Sequence, residues 1–318
     1  MPYDKIGLVI QGPIYSSGRN FESSSTKVFK SIPYIENYFL ESLKLGIEVV
    51  LMTWDLEDTS ELDSFSKDIY KLRYSRSLFP KFLLNDWSSN KYKQFFLTLK
   101  GIEVLENRKC TTIIKVRTDQ KLDIQLLATH IKKNPVCVIE KLLTLFGDIR
   151  QPDQWVDFVF AGETQFLKEV LQSYLSQKEI FPSVHKDFFY HMFLRYNQCP
   201  SSFFTKFFFP YNSKALSDKN LINISRNWRN SFSLMPKRVL EELEWRGSKF
   251  NRQLEIENFF GNEDYNDFID QILELPRSSV SFPRNLLHLD ALTLLFSGKL
   301  SIQFDRIRNS IIRRLGFK

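Results

Sequence analysis

Apolar residues run without interruption from Ile6 to Ile10 and stop at Gly12-Pro13, the pattern of a buried strand closed by a turn. A second run, Ile47 to Trp54, ends at Asp55. Between them, residues 25–44 carry Val28, Ile32, Ile35, Tyr38, Phe39 and Leu43 at roughly helical spacing. Pro33 must mark a helix start or a break there, because it has no N–H to give to a helix interior. Residues 90–107 predict an amphipathic helix with Phe95, Phe96, Leu99, Ile102, Val104 and Leu105 on its buried side. Thr111–Val116 reads as a third strand, rich in β-branched residues; Pro135–Ile139 reads as a fourth and Trp155–Ala161 as a fifth. Strands alternating with helices predict an α/β fold with a mostly parallel sheet covered on both faces. Beyond about residue 164 the pattern turns helical and irregular. Helices are expected over 166–175 and 187–196, and residues 236–274 hold a charged helix and a polar loop at Gly261–Asp264. The expected organisation is an α/β core over 1–165, a mostly helical remainder of the same domain over 166–300, and a basic amphipathic helix over 301–318.

Composition narrows the class. With 318 residues, 43% of them hydrophobic and 25% charged, the chain suits one large α/β domain with a helical extension, and the composition argues against disorder over most of the length. The three cysteines, Cys110, Cys137 and Cys199, form no CxxC pair and are odd in number. That argues against a disulfide framework or a structural zinc and for a reducing compartment. Cys110 and Cys137 read as small core residues. No secretory pattern follows Met1, and the apolar stretches fall well short of the roughly 20 residues a membrane helix needs, so a cytoplasmic protein is expected. The 30 Phe residues fit either a compositional bias or an apolar surface for a membrane or lipid-linked substrate. A net charge of +7 favours polyanions: nucleic acid, anionic lipid or a phosphate-bearing substrate.

The sharp residues stand at the expected carboxyl ends of strands, where open α/β sheets bind ligands. Asp119, in Arg117-Thr118-Asp119, would be desolvated there unless paired with a cation or a metal. Such an acid can hold Mg²⁺ or Mn²⁺ against a diphosphate, with Lys115 and Arg117 on the phosphates; a turn acid beside a solvated Arg is the plainer alternative. Gln11, Gly12 and Pro13 let a phosphate or ribose approach the backbone, or simply end a strand. Trp54 and Asp55 offer a stacking ring and an acceptor for a base N–H or ribose hydroxyl, or a core Trp with a capping acid. Lys93 and Gln94, with Asn90 and Lys91, open a helix where an anion can sit. For a base that takes a proton from an acceptor hydroxyl, Asp153, Asp157, Asp187, His185 and His191 are available; His130 and His288 have no suggestive neighbours.

Together these segments resemble the WavE family of lipopolysaccharide-synthesis proteins. Val9-Ile10-Gln11-Gly12-Pro13-Ile14, Val49 to Trp54, Asn90-Lys91-Tyr92-Lys93-Gln94 and Ile113 to Asp119 follow that family's "IQGP", "STW", "NxNRQ" and "KxRTD" motifs in order and at similar spacing, over roughly residues 5–165. Lys93 stands where the family has Arg, and Phe158 where Trp is usual. The resemblance implies a glycosyltransferase with a GT-A-like (Rossmann-like) fold that uses a nucleotide-sugar donor, a divalent cation at Asp119, and a saccharide or lipid-linked glycan as acceptor. In that reading Asp157 or Asp187 is the acceptor base if the enzyme inverts. Gln11, Gly12, Pro13, Trp54, Asp55, Lys93, Gln94, Lys115, Arg117 and Asp119 form the donor site.

At the C-terminus Phe304, Ile307, Ile311 and Leu315 fall on one helical side, with Arg306, Arg313 and Lys318 off that stripe. Such a helix suits an anionic membrane interface, a docked helix or a dimer contact. The first makes the protein peripheral on the inner face of the bacterial cytoplasmic membrane. The rival class is a non-catalytic basic protein binding nucleic acid or anionic membrane. Against nucleic acid stands the lack of any helix-turn-helix, zinc-finger or RNP signature. A nucleotidyltransferase would share the phosphate logic but lacks a Gly-rich basic loop near the N-terminus.

Overall fold

The first apolar run becomes a central strand. β1 (Ile6–Gln11) is buried at every position, as a parallel strand covered on both faces should be. The computed structural model describes residues 5–18, 27–74, 86–176, 184–196, 218–250 and 258–275. After β1 come the antiparallel pair β2 (Tyr15–Gly18) and β3 (Lys27–Lys30), α1 (Ile32–Leu45), β4 (Glu48–Trp54), a 3-10 stretch at Ser60–Asp68, and β5 (Ile69–Leu72). Then follow α2 (Asp86–Asn107), β6 (Thr112–Arg117), β7 (Gln120–Lys121), α3 (Ile124–Lys133), β8 (Leu142–Thr144), β9 (Gly147–Asp148) and β10 (Phe160–Glu163). The described part of the second half holds α4 (Thr164–Ser176), α5 (Val184–Tyr196), α6 (Asp218–Ser231), β11 (Phe232–Leu234), α7 (Lys237–Glu242), β12 (Glu244–Trp245), β13 (Ser248–Lys249), β14 (Phe259–Phe260) and α8 (Tyr265–Glu274).

Seven strands form one sheet in the order β11-β8-β10-β6-β1-β4-β5. Six run the same way. β10 is antiparallel to both its neighbours, β6 and β8, while β11 is parallel to β8. Val9 lies between Val50 and Lys115 in register, and Gln11 between Met52 and Arg117. The pleat divides the core. Val9, Val50, Met52, Ile113 and Phe160 face the layer of α2, α4, α5, α6 and α8. Leu8, Ile10, Val49, Leu51, Ile114 and Val116 face α1, α3 and α7. Gly101 brings α2 against the sheet, since a Cβ there would lie 2.6 Å from Val9 Cγ1 and 2.9 Å from Met52 Cγ. The α/β class and the mostly parallel sheet flanked by helices are therefore as the alternation predicted. Among the described residues no helix is long and apolar enough to cross a membrane.

Four local expectations need correction. Pro135–Cys137 is a 3-10 turn in which Cys137 N–H donates to Asn134 O at 3.0 Å, and the strand lies further on at β8. Pro135 has no N–H for a ladder and a φ suited to starting a helical turn. Over 155–161, pairing begins only at Phe160 and runs antiparallel; Trp155 instead stacks on Phe188 at 4.3 Å. The helix expected over 90–107 begins earlier, at Asp86, so Lys93 and Gln94 lie inside it and not at the helix start where an anion was expected to sit; Pro33 does mark a helix start, α1 running from Ile32 once Lys27–Lys30 has paired with β2. Finally, the second half is not only helical: β11 adds an edge strand to the main sheet. The helix expected over 301–318, Cys199 and His288 lie outside the described residues.

Candidate functional site

β1, β4 and β6 end side by side at Gln11, Trp54 and Arg117, and the residues beyond them form the candidate site. The Gln11–Ile14 turn is tied to both neighbouring strands. Thr53 Oγ1 donates to Gly12 O at 2.9 Å and Thr118 Oγ1 to Pro13 O at 2.7 Å. Thr118 N–H donates to Gln11 O at 3.0 Å, and Ile14 N–H to Glu57 Oε2 at 2.8 Å. Gly12 has φ +136, and a Cβ there would lie 2.6 Å from Thr118 Oγ1, so glycine is required both for conformation and for space. Gln11 is buried, and its amide oxygen has no hydrogen-bond partner among the described residues.

Asp119 is the centre of a cationic cluster. It is 1% exposed. Arg117 grips it with two bonds, Nε to Oδ1 at 3.0 Å and Nη2 to Oδ2 at 2.9 Å. Trp245 Nε1 and Arg246 Nε reach Oδ2 at 3.1 and 2.9 Å, and Arg246 N–H donates to the Asp119 carbonyl at 2.9 Å. Burial alone would raise this carboxyl; the charges of Arg117 and Arg246 outweigh burial and hold it below the ordinary carboxylate value. These donors do not fit a divalent cation. Both oxygens of Asp119 already accept from N–H groups, and the described residues contain no group of three His, Cys, Asp or Glu that could hold a metal. What the edge offers a ligand is positive charge on planar donors, which suits phosphate oxygens.

Nothing in the sequence signals the Trp245 and Arg246 contacts. They come from a hairpin: β12 pairs with β13 and, on its other side, with β7 directly after Asp119. Its turn, Arg246-Gly247, has φ of 50 and 84 at the two central residues, as a two-residue hairpin turn demands. Such turns are usually signalled by Asn-Gly or Asp-Gly, and an Arg in the left-handed region gives no such cue.

Loop 153–158 enters β10 and closes the edge beside β6. Lys115 was expected to reach phosphate. It is instead 1% exposed, with Nζ donating to the carbonyl oxygens of Asp157 at 2.5 Å and Phe158 at 3.3 Å, so it braces the loop. Burial pushes its ammonium down to about 7, against the pull of Asp157. Asp153 is paired with Lys186 on α5 and accepts from Tyr190 OH at 3.1 Å, which pins the start of α5 to the same loop. Asp157 is buried, with its Oδ1 3.6 Å from His185 Nδ1. Burial would raise the Asp157 carboxyl, but the charges of His185, Lys115 and Arg117 hold it below the ordinary value. Asp187 lies elsewhere: its Oδ2 accepts from Tyr174 OH at 3.1 Å where α5 meets α4. His191 packs 5.3 Å from the same Tyr174 ring.

At the ends of β4 and β5, Trp54 and Tyr74 meet edge to face at 5.4 Å, with Phe96 stacked 6.4 Å from Trp54. Lys93 Nζ sits 5.0 Å over the Tyr74 ring. Asp55 Oδ1 accepts from Tyr74 N–H at 3.0 Å, so this acid holds the ring's backbone. Gln94 lies one residue on, half-buried, its carbonyl accepting from Thr98 Oγ1 at 2.8 Å. The side chains of Asn90 and Lys91 lie outside the described residues.

The lowered carboxyls set a pH dependence. Asp119 and Asp157 bind protons less readily in the folded protein than in the unfolded chain, so the stability they contribute is complete above about pH 4 and is lost as pH falls through their lowered native values. Urea-unfolding midpoints are expected to fall steeply below about pH 4, and Asp157→Asn should flatten that limb. An acid limb unchanged by the substitution would contradict the assignment.

The class defined by fold and site is an α/β protein whose parallel strands present a cationic, aromatic-flanked edge. Compared with known protein families and with curated proteins, the chain matches none.

Proposed function

We propose that this chain is a glycosyltransferase of GT-A-like fold, similar to the WavE family, that moves a sugar from a nucleotide-sugar donor to a growing bacterial surface glycan: lipopolysaccharide core, O-antigen or capsule. The observation that carries the reading is convergence. Segments around residues 12, 54, 93 and 118, far apart in sequence, meet at one sheet edge through the Gly12–Thr53, Pro13–Thr118 and Lys93–Tyr74 contacts. A sheet that is parallel but for one strand supports the GT-A-like part. In this reading Trp54 and Tyr74 form the platform for the base. The Gly12 turn lets the diphosphate approach the backbone, and Arg117 and Arg246 meet its charge. The acceptor is saccharide or lipid-linked, which places the protein at the inner face of the cytoplasmic membrane.

A thermal-shift screen with UDP, GDP, CDP, CMP and dTDP, each with and without Mn²⁺, tests the donor side. One nucleotide is expected to raise the melting temperature without added metal. Because stacking of a base on an aromatic ring is worth about 1–3 kcal/mol, Trp54→Leu and Tyr74→Leu should weaken that nucleotide about 5- to 150-fold. A folded protein that responds to no nucleotide, yet binds random DNA in a salt-dependent way, would favour a basic binding protein instead.

A further inference from the structure

We propose that His185 takes the proton from the acceptor hydroxyl and that Asp157 positions it, an inference that rests on the glycosyl-transfer reading. The sequence offered Asp153, Asp157, Asp187, His185 and His191 for this role, with Asp157 or Asp187 preferred, and the structure separates those two. Asp187 faces Tyr174 between two helices. Asp157 stands at the site edge, but its side chain is only 7% exposed, while that of His185 is 38% exposed. A buried carboxylate with a half-exposed imidazole in front of it acts through the imidazole rather than on the substrate.

Two independent observations support the pairing. Among the described residues, Asp157 Oδ1 and His185 Nδ1 are both buried atoms without a hydrogen-bond partner, and they lie 3.6 Å apart. A shift of a few tenths of an ångström makes the bond, and catalytic hydrogen bonds commonly tighten when substrate binds. The frame is also fixed from both sides. Lys115 holds the Asp157 carbonyl, and the Asp153–Lys186 pair holds the first turn of α5 to the loop. Among the described residues, His185, Lys115 and Arg117 pull on Asp157, so the same carboxylate faces both the imidazole and the cations of the phosphate edge.

In the proposed step, Nδ1–H donates to Asp157, which leaves Nε2 as the proton acceptor. The acceptor oxygen attacks the anomeric carbon from the side opposite the phosphate as its proton passes to Nε2. The carbon–oxygen bond to the donor phosphate breaks, its electron pair leaves on the released nucleotide (a diphosphate, or CMP from a CMP-sugar), and the anomeric centre inverts. The imidazolium is stabilised by the Asp157 carboxylate and loses its proton to water afterwards.

The test uses water as acceptor and follows release of nucleotide from UDP-glucose, UDP-galactose, GDP-mannose, dTDP-glucose and CMP-neuraminic acid. In His185→Ala and His185→Gln, nucleotide-induced stabilisation should persist while kcat falls about 10²- to 10⁴-fold, and added imidazole should restore part of it in the Ala variant. Asp157→Asn should lower kcat with KM unchanged. Wild-type turnover in either His185 variant, or a loss that imidazole does not touch, would overturn the proposal. A wild type that neither binds nor consumes any donor would overturn the glycosyl-transfer reading, and this step with it.

Discussion

Asp119→Ala is expected to destabilise the protein by about 3–5 kcal/mol, because it strips the counter-charge from cations buried beside it. The side chains of Arg117 and Arg246 are 18% and 14% exposed, and both hydrogen-bond to this one carboxylate. Without it, Arg117 keeps its ring contact with Phe158 at 5.3 Å and the pull of Asp157, but it loses both of its hydrogen bonds to Asp119. The β12–β13 hairpin also loses two of its anchors, the bonds from Trp245 and Arg246 to Oδ2. Urea unfolding of the variant measures the loss. A decrease under about 1 kcal/mol would mean that the cluster is effectively solvated. If instead the carboxylate served chiefly to hold a metal, the variant would keep its stability and lose a metal-dependent ligand response.

Gly12→Ala should have the second-largest effect. A side chain at φ +136 is strained, at about 1–3 kcal/mol, and the new Cβ would meet Thr118 Oγ1 at 2.6 Å. Thr118 must then move, and its bond to Pro13 O is lost. The displaced segment is the turn proposed to cradle the diphosphate, so nucleotide-induced stabilisation should disappear in a variant that still folds at lower temperature. A full nucleotide response in Gly12→Ala would remove this turn from the site.

Much of the site's scaffold was legible in the chain. β1, β4 and β6 are buried over nearly their whole length, so β1 reads as an unbroken apolar run and β4 and β6 as largely apolar, β-branched ones, and their ends were visible at Gly12-Pro13, Asp55 and Arg117–Asp119. The amphipathic α2 was legible too, and Gly101 is what lets it pack closely on Val9. Side-chain direction was not legible. Lys115 sits among apolar neighbours at a strand end, and only the fold shows that its ammonium turns inward to the 157–158 carbonyls. Asp119 suggested a metal because its partners Trp245 and Arg246 come 126 and 127 residues later. The direction of β10 and the existence of β11 depend on pairing with strands distant in sequence, and elements of four and three residues carry too little periodicity to declare themselves. The Asp157–His185 approach likewise exists only once loop and helix are pinned together.

Consumption of a nucleotide sugar is the most direct consequence of the proposed activity. Incubating the folded wild-type chain with UDP-, GDP-, dTDP- and CMP-sugars, and measuring the nucleotide released, should show one donor turned over and the others untouched, with the turnover reduced in Trp54→Leu. Release from no donor, together with no nucleotide raising the melting temperature, would contradict the glycosyltransferase reading and leave a basic binding protein as the better description.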